Sequence, residues 1–128
     1  MKIIKLMQEQ PAFHARSAAS NEEITAVENV LGLRFAQDYR EYVATFGAAS
    51  FAGHELTGIC KSDRLNVVTV TMEERNNMVV PADWYVLEQA NIDGIVIWQN
   101  FNGEVFRTFP DTPPVRIADS LSEYIESI

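Results

Sequence analysis

Residues 84–109 read WYVLEQANIDGIVIWQNFNGEVFRTF, and this run decides the fold class. Trp84 to Ala90 and Ile95 to Asn100 are apolar-rich segments of strand length, separated by Asn91-Ile92-Asp93-Gly94. Glu104 to Phe109 follows through Asn100-Phe101-Asn102-Gly103. The Asn-Gly and Asp-Gly pairs supply the positive φ that tight turns require. Connections this short join antiparallel neighbours, because a parallel crossover takes about a dozen residues or more.

On the N-terminal side the texture is helical. Ser20-Asn21-Glu22-Glu23 is a capping box, with the Ser20 hydroxyl placed to accept from the Glu23 amide and the Glu23 carboxylate placed to reach back. Ile24, Val27 and Leu31 then fall on one helical stripe, and Gly32 supplies the left-handed stop. Tyr39, Tyr42, Val43 and Phe46 mark a second helix over about Gln37 to Phe46, ended by Gly47, with Asp38 at the positive end of its dipole. Lys2 to Glu9 reads as a short first helix, Pro11 to Ala19 as a loop, and Glu55 to Cys60 as a strand. On the C-terminal side Pro110, Pro113 and Pro114 break the chain. Ser120 to Glu123 is a second capping box, and Leu121, Tyr124, Ile125 and Ile128 stripe a closing helix. Asn66 to Thr71 is ambiguous: its Val and Thr favour a strand, while Val67, Val70 and Glu74 fit a helix. Helices, then antiparallel strands, then a helix make an α+β pattern.

Composition bounds the function. The 128 residues fit one domain, 1–128, and 47% hydrophobic against 22% charged residues is too apolar for a disordered chain. One cysteine, Cys60, excludes an internal disulfide. The apolar run near Met1 stops at Gln8, short of a signal peptide, and no stretch reaches the ~20 apolar residues of a membrane span, so the cytoplasm is the expected address. The net charge is −8, and it is uneven: residues 76–128 hold only Arg107 and Arg116 against eight carboxylates. Such a chain lacks the cations that neutralise nucleic-acid phosphates, and its negative field speeds encounter with a basic partner.

Reactive chemistry is sparse. His14, His54 and Cys60 make no metal-ligand spacing, so neither a metal nor a cofactor is implied. Neither a nucleophile elbow nor a phosphate-cradling glycine loop occurs, and no lysine follows Pro110-Asp111 to complete a nuclease motif. Glu22-Glu23 and Glu73-Glu74 read as helix-end and helix-surface charges. Trp84 and Tyr85 are adjacent, so in a strand they face opposite ways and one is a candidate exposed anchor. A cleft bringing His54 within reach of carboxylates would favour an enzyme instead.

The ordered set of signals is more specific than any one of them. Ser20 to Ile24, Val27-Glu28, Leu31-Gly32-Leu33 and Asp38-Tyr39 with Tyr42 resemble the opening of the Smi/Knr branch of the SUKH superfamily. Glu55 to Ile59 resembles its next apolar strand, and Val67-Val68, Thr71 and Arg75 its following helix. Gly94 to Trp98 with Gly103 to Val105 resembles its central hairpin, and Ser120 to Ile125 its closing helix. The chain departs at Phe35-Ala36, where the family usually carries a proline. The resemblance implies an α+β fold in which a mainly antiparallel sheet of about four to six strands is flanked by helices, and it resolves the ambiguous segment as a helix over about Asn66 to Arg75.

It also implies a non-catalytic protein-binding domain. Bacterial members are immunity proteins that neutralise a toxin, often a nuclease, and fungal members are regulatory scaffolds. The expected mechanism is stoichiometric occlusion of a basic toxin domain by an acidic surface. Glu88, Asp93, Glu104 and Asp111 are the candidate contacts and Trp84 or Tyr85 the anchor, chosen by charge and expected exposure. The alternative is a regulatory scaffold for an endogenous partner. No direct nucleic-acid or membrane contact is expected, and a homodimer stays open.

Overall fold

The computed structural model describes residues 2–90 and 92–128. Its helices are α1 (Lys2–Gln8), α2 (Asn21–Leu31), α3 (Gln37–Phe46), α4 (Val67–Asn77) and α5 (Leu121–Glu126). Its strands are β1 (His14–Ala15), β2 (Ala49–Phe51), β3 (His54–Glu55), β4 (Tyr85–Gln89), β5 (Val96–Gln99), β6 (Val105–Thr108) and β7 (Val115–Ala118). All strand pairs within the sheets are antiparallel: β1-β2-β3 form one and β4-β5-β6-β7 the other. This is the expected α+β class, with the strands divided between two sheets. Among the described residues, no helix is long and apolar enough to cross a membrane.

The helix starts follow their side chains. Ser20 forms the full capping box, accepting from Glu23 N–H at 3.1 Å while Ser20 N–H donates to Glu23 Oε1 at 2.9 Å. The box at Ser120 is only half made: Ser120 Oγ accepts from Glu123 N–H at 3.0 Å, but the Glu123 carboxylate takes the Asp119 amide instead. At the departure from the family proline, Ala36 has φ −61°, which a proline would also adopt, but its N–H donates to Tyr85 Oη at 3.0 Å. A proline has no hydrogen to give there.

The Val/Thr segment is helical because its partners require it. Asn66 caps α4, accepting from Val68 and Thr69 amides. Val67, Val70, Thr71 and Glu74 then turn inward together, so burial overrides β-propensity. Thr71 Oγ1 accepts from Val86 N–H at 3.1 Å, and Thr57 donates both its N–H to Leu87 O and its hydroxyl to Val86 O. These contacts cover the β4 edge of the larger sheet.

The strand expected over Glu55 to Cys60 is confined to His54–Glu55. Past it, the amides of Leu56, Thr57, Gly58 and Ile59 donate to Ala49, Leu87, Leu65 and Gly47 respectively. Four acceptors drawn from three segments make no ladder. Gly58 fits this crossing because a Cβ there would stand 1.9 Å from Gly47 O.

Two cores flank the larger sheet. Tyr85, Leu87, Ile97 and Val105 join α1, α2, α3 and α5 in the main core. Trp84, Val86, Val96 and Trp98 form the second with Val70, and Met78 and Val80 pack against it. A bulge lies between Val86 and Glu88: Val86 opposes Trp98 and Glu88 opposes Ile97, so Leu87 is the extra residue.

Candidate functional site

The bulge moves Glu88 to the face opposite the one strict alternation from Val86 would give it. It is 3% exposed, faces the main core, accepts a hydrogen bond from Tyr124 Oη of α5, and lies 3.2 Å from His54 Nδ1 of β3. Burial, and then the Glu88 charge, raise the Tyr124 phenol above its usual range, so it stays a donor. His54 is within reach of a carboxylate, but that carboxylate is buried and also accepts from Tyr124 Oη. This network ties β3 and α5 to β4. The five principal clefts are lined by other residues.

A second buried polar chain positions the helix starts. Ala36 N–H donates to Tyr85 Oη, which donates to Gln99 Oε1; Gln99 Nε2 donates to Asp38 Oδ1, and Leu121 N–H donates to Asp38 Oδ2 at 2.7 Å. Burial raises the Asp38 carboxyl above its usual value, and the Leu121 amide is the first of the donors opposing that shift.

Three expected contacts are therefore interior. Glu88 is inside because of the bulge. Trp84 and Tyr85 do face opposite ways, but both sides of the sheet are covered: Trp84 stacks on Phe106 at 4.1 Å in one core, and Tyr85 is fully buried in the other. The exposure expected of one of them is absent.

The remaining acids separate. Asp93 lies on the β4–β5 connection and Asp111 on the β6–β7 connection, at the same end of the sheet. Both are exposed and both have positive φ, 53° and 61°, a conformation Asp tolerates better than most residues. The two connections touch: a Cβ on Gly94 would meet the Pro110 ring at 2.9 Å. Glu104 sits at the other end, paired with Arg116 at 2.8 Å.

Beside the Asp93 and Asp111 turns lies a groove of 830 Å³ between the end of α4, the chain that follows it, and the two connections. Met78, Val79, Val80, Ile95, Phe109 and Pro113 supply much of its apolar wall, and Val79 is 100% exposed. Glu74, Asn77, Gln89 and Asp111 supply polar groups; no Lys, Arg or His is among its lining residues. Arg107 stacks its guanidinium over the Phe109 ring, 5.0 Å from the centroid.

Glu74 was expected on the helix surface, yet it is 8% exposed at the groove. Its signal in the sequence is its place seven residues after Val67, on the stripe that α4 buries. Val79 carries no such signal, because its exposure follows from how the chain leaves α4.

The SUKH_5 family model, described as SMI1-KNR4 cell-wall, matches residues 1–128. No curated protein matches the chain.

Proposed function

The chain belongs to the SMI1-KNR4 family, and from that premise we propose that it is a non-catalytic, immunity-type binding domain that occludes a basic toxin domain. One observation carries the reading: an open apolar groove with carboxylates in its wall and at its rim, and no cationic side chain lining it. The groove lies where the C-terminal acidic excess meets exposed apolar surface. Apolar contacts supply affinity there, and carboxylates bias the partner toward a basic one. Asp93 and Asp111 are the rim contacts in this proposal and Val79 the apolar anchor; Trp84 belongs to the core on the groove side of the sheet, whereas Glu88 and Tyr85 lie on its other face and take no part.

The test is co-expression with a basic toxin domain encoded beside this gene, scoring survival and co-purification. Wild type is expected to protect and to co-purify in a fixed ratio. The double reversal Asp93→Lys with Asp111→Lys is expected to lose protection while remaining folded. Association is expected to slow as salt rises, since screening shortens the field to about 10 Å at 0.1 M. Full protection by the double variant, or an on-rate indifferent to salt, refutes the acidic-groove mechanism.

The cell-wall wording of the family description favours a second reading, a regulatory scaffold for an endogenous partner. The same groove would serve it, and the identity of the co-purifying protein separates the two.

A further inference from the structure

Three carboxylates are buried to a similar degree: Glu28, Glu74 and Glu88. Glu28 accepts from Phe35 N–H at 2.8 Å and pairs with the Arg40 guanidinium. Glu88 has His54 and Tyr124. Glu74 has only neutral amides: Asn77 Nδ2 donates to Oε1 at 3.2 Å, and Gln89 Nε2 donates to Oε2 at 2.5 Å. Among the described residues no cation lies within ion-pair distance of it. A carboxylate withdrawn from water without a counter-charge is costly to keep. This one lines a groove open to solvent.

We propose that the groove is a receptor for one arginine side chain of the protein partner, whose guanidinium completes the Glu74 site. A carboxylate offers about four lone-pair positions, two on each oxygen. One on each oxygen is already taken by an amide, which leaves one on each for the two parallel N–H groups of a guanidinium. Arginine is favoured over lysine because its planar fork matches that pair and its charge is more weakly hydrated. Its methylenes would lie along Met78 and Val80. Asp111 at the rim draws the same charge. The inference rests on the reading above only in taking the occupant to be a protein.

The probe is a blocked tripeptide, acetyl-Val-Arg-Val-amide, titrated into the full chain while the side-chain amide NMR signals of Asn77 and Gln89 are followed. The arginine peptide is expected to shift both, with the citrulline counterpart at least tenfold weaker and the lysine counterpart between them. Glu74→Gln is expected to abolish the response. Asn77→Lys, an exposed position three residues along α4, supplies an internal cation and is expected to abolish the Gln89 response without disturbing the fold. Equal responses to arginine and citrulline, no response to arginine, or an undiminished Gln89 response in Asn77→Lys overturns the proposal. Toxin capture by the wild type with no arginine response sinks this receptor and leaves occlusion standing. An arginine response without capture of any toxin does the reverse.

Discussion

Glu88 and Gln89 are consecutive in β4, and they face two differently built regions. On the Glu88 side, helices cover the sheet and the carboxylate is met by His54 and Tyr124. On the Gln89 side, the chain after α4 covers the sheet only partly, and the Gln89 amide reaches a carboxylate, Glu74, that no cation answers. The bulge after Val86 makes the division. A charge enclosed with its own partners holds elements together, whereas a charge left open beside an apolar wall is available to another molecule.

The largest effect is expected where the charge is enclosed. Glu88→Ala leaves Tyr124 Oη buried without its acceptor and His54 without its carboxylate, and should lower unfolding free energy by about 3 kcal/mol. Urea denaturation measures it. A loss below about 1 kcal/mol would remove the distinction between the regions, since that is what one ordinary hydrogen bond contributes.

Gly94 comes next, because it joins the two turns that rim the groove. Its φ is +72°, and an added Cβ would meet Pro110 Cγ at 2.9 Å. Gly94→Ala should cost about 2 kcal/mol from left-handed strain and contact and should weaken partner capture by moving Asp93 relative to Asp111. Stability lost with capture unchanged would show that the spacing of the two turns does not matter to the partner.

Glu74→Met carries the opposite sign. Removing an unanswered carboxylate and filling its place with apolar volume should raise stability by about 1 kcal/mol, while capture of a basic partner falls. A loss like that of Glu88→Ala would mean that Glu74 is structural after all.

Features fixed by near neighbours are readable in the sequence in both regions, and features fixed by distant contacts are not. Capping at Ser20, the stripe through Tyr39 and Tyr42, and the turns at Asp93-Gly94 and Asn102-Gly103 depend on neighbours within a few residues, and each stands where its local chemistry puts it. The α4 helix needed partners far along the chain, Val86 above all, and its Val and Thr content pointed the other way. The short strands β1, β2 and β7 had no clear period in two, three and four residues. Glu88 was misplaced because alternation fails across a bulge, and no local residue announces this one. Glu74 looked like surface because charged residues on helices usually are; only the burial of Val67, Val70 and Thr71 beside it says otherwise.

The smallest effect sets the lower end of the scale. Glu55 and Arg64 form a bidentate pair, at 2.6 and 2.8 Å, with side chains 42% and 60% exposed. The Arg64 hydrogen bonds lower the Glu55 carboxyl below its usual value, so the pair contributes stability above pH 4.5 and loses it as pH falls through the lowered value. Arg64→Ala should melt slightly below wild type at neutral pH, and the gap should close in acid. Added salt should also narrow it at neutral pH, because exposed pairs are screened. Asp38 pulls in the opposite sense: with its carboxyl raised by burial, it favours the folded chain as pH falls. It is present in both proteins and cancels in the comparison. A gap that persists in acid would mean that Arg64 acts through packing, and that even the exposed carboxylates are not the simple charges against which Glu74 and Glu88 are being judged.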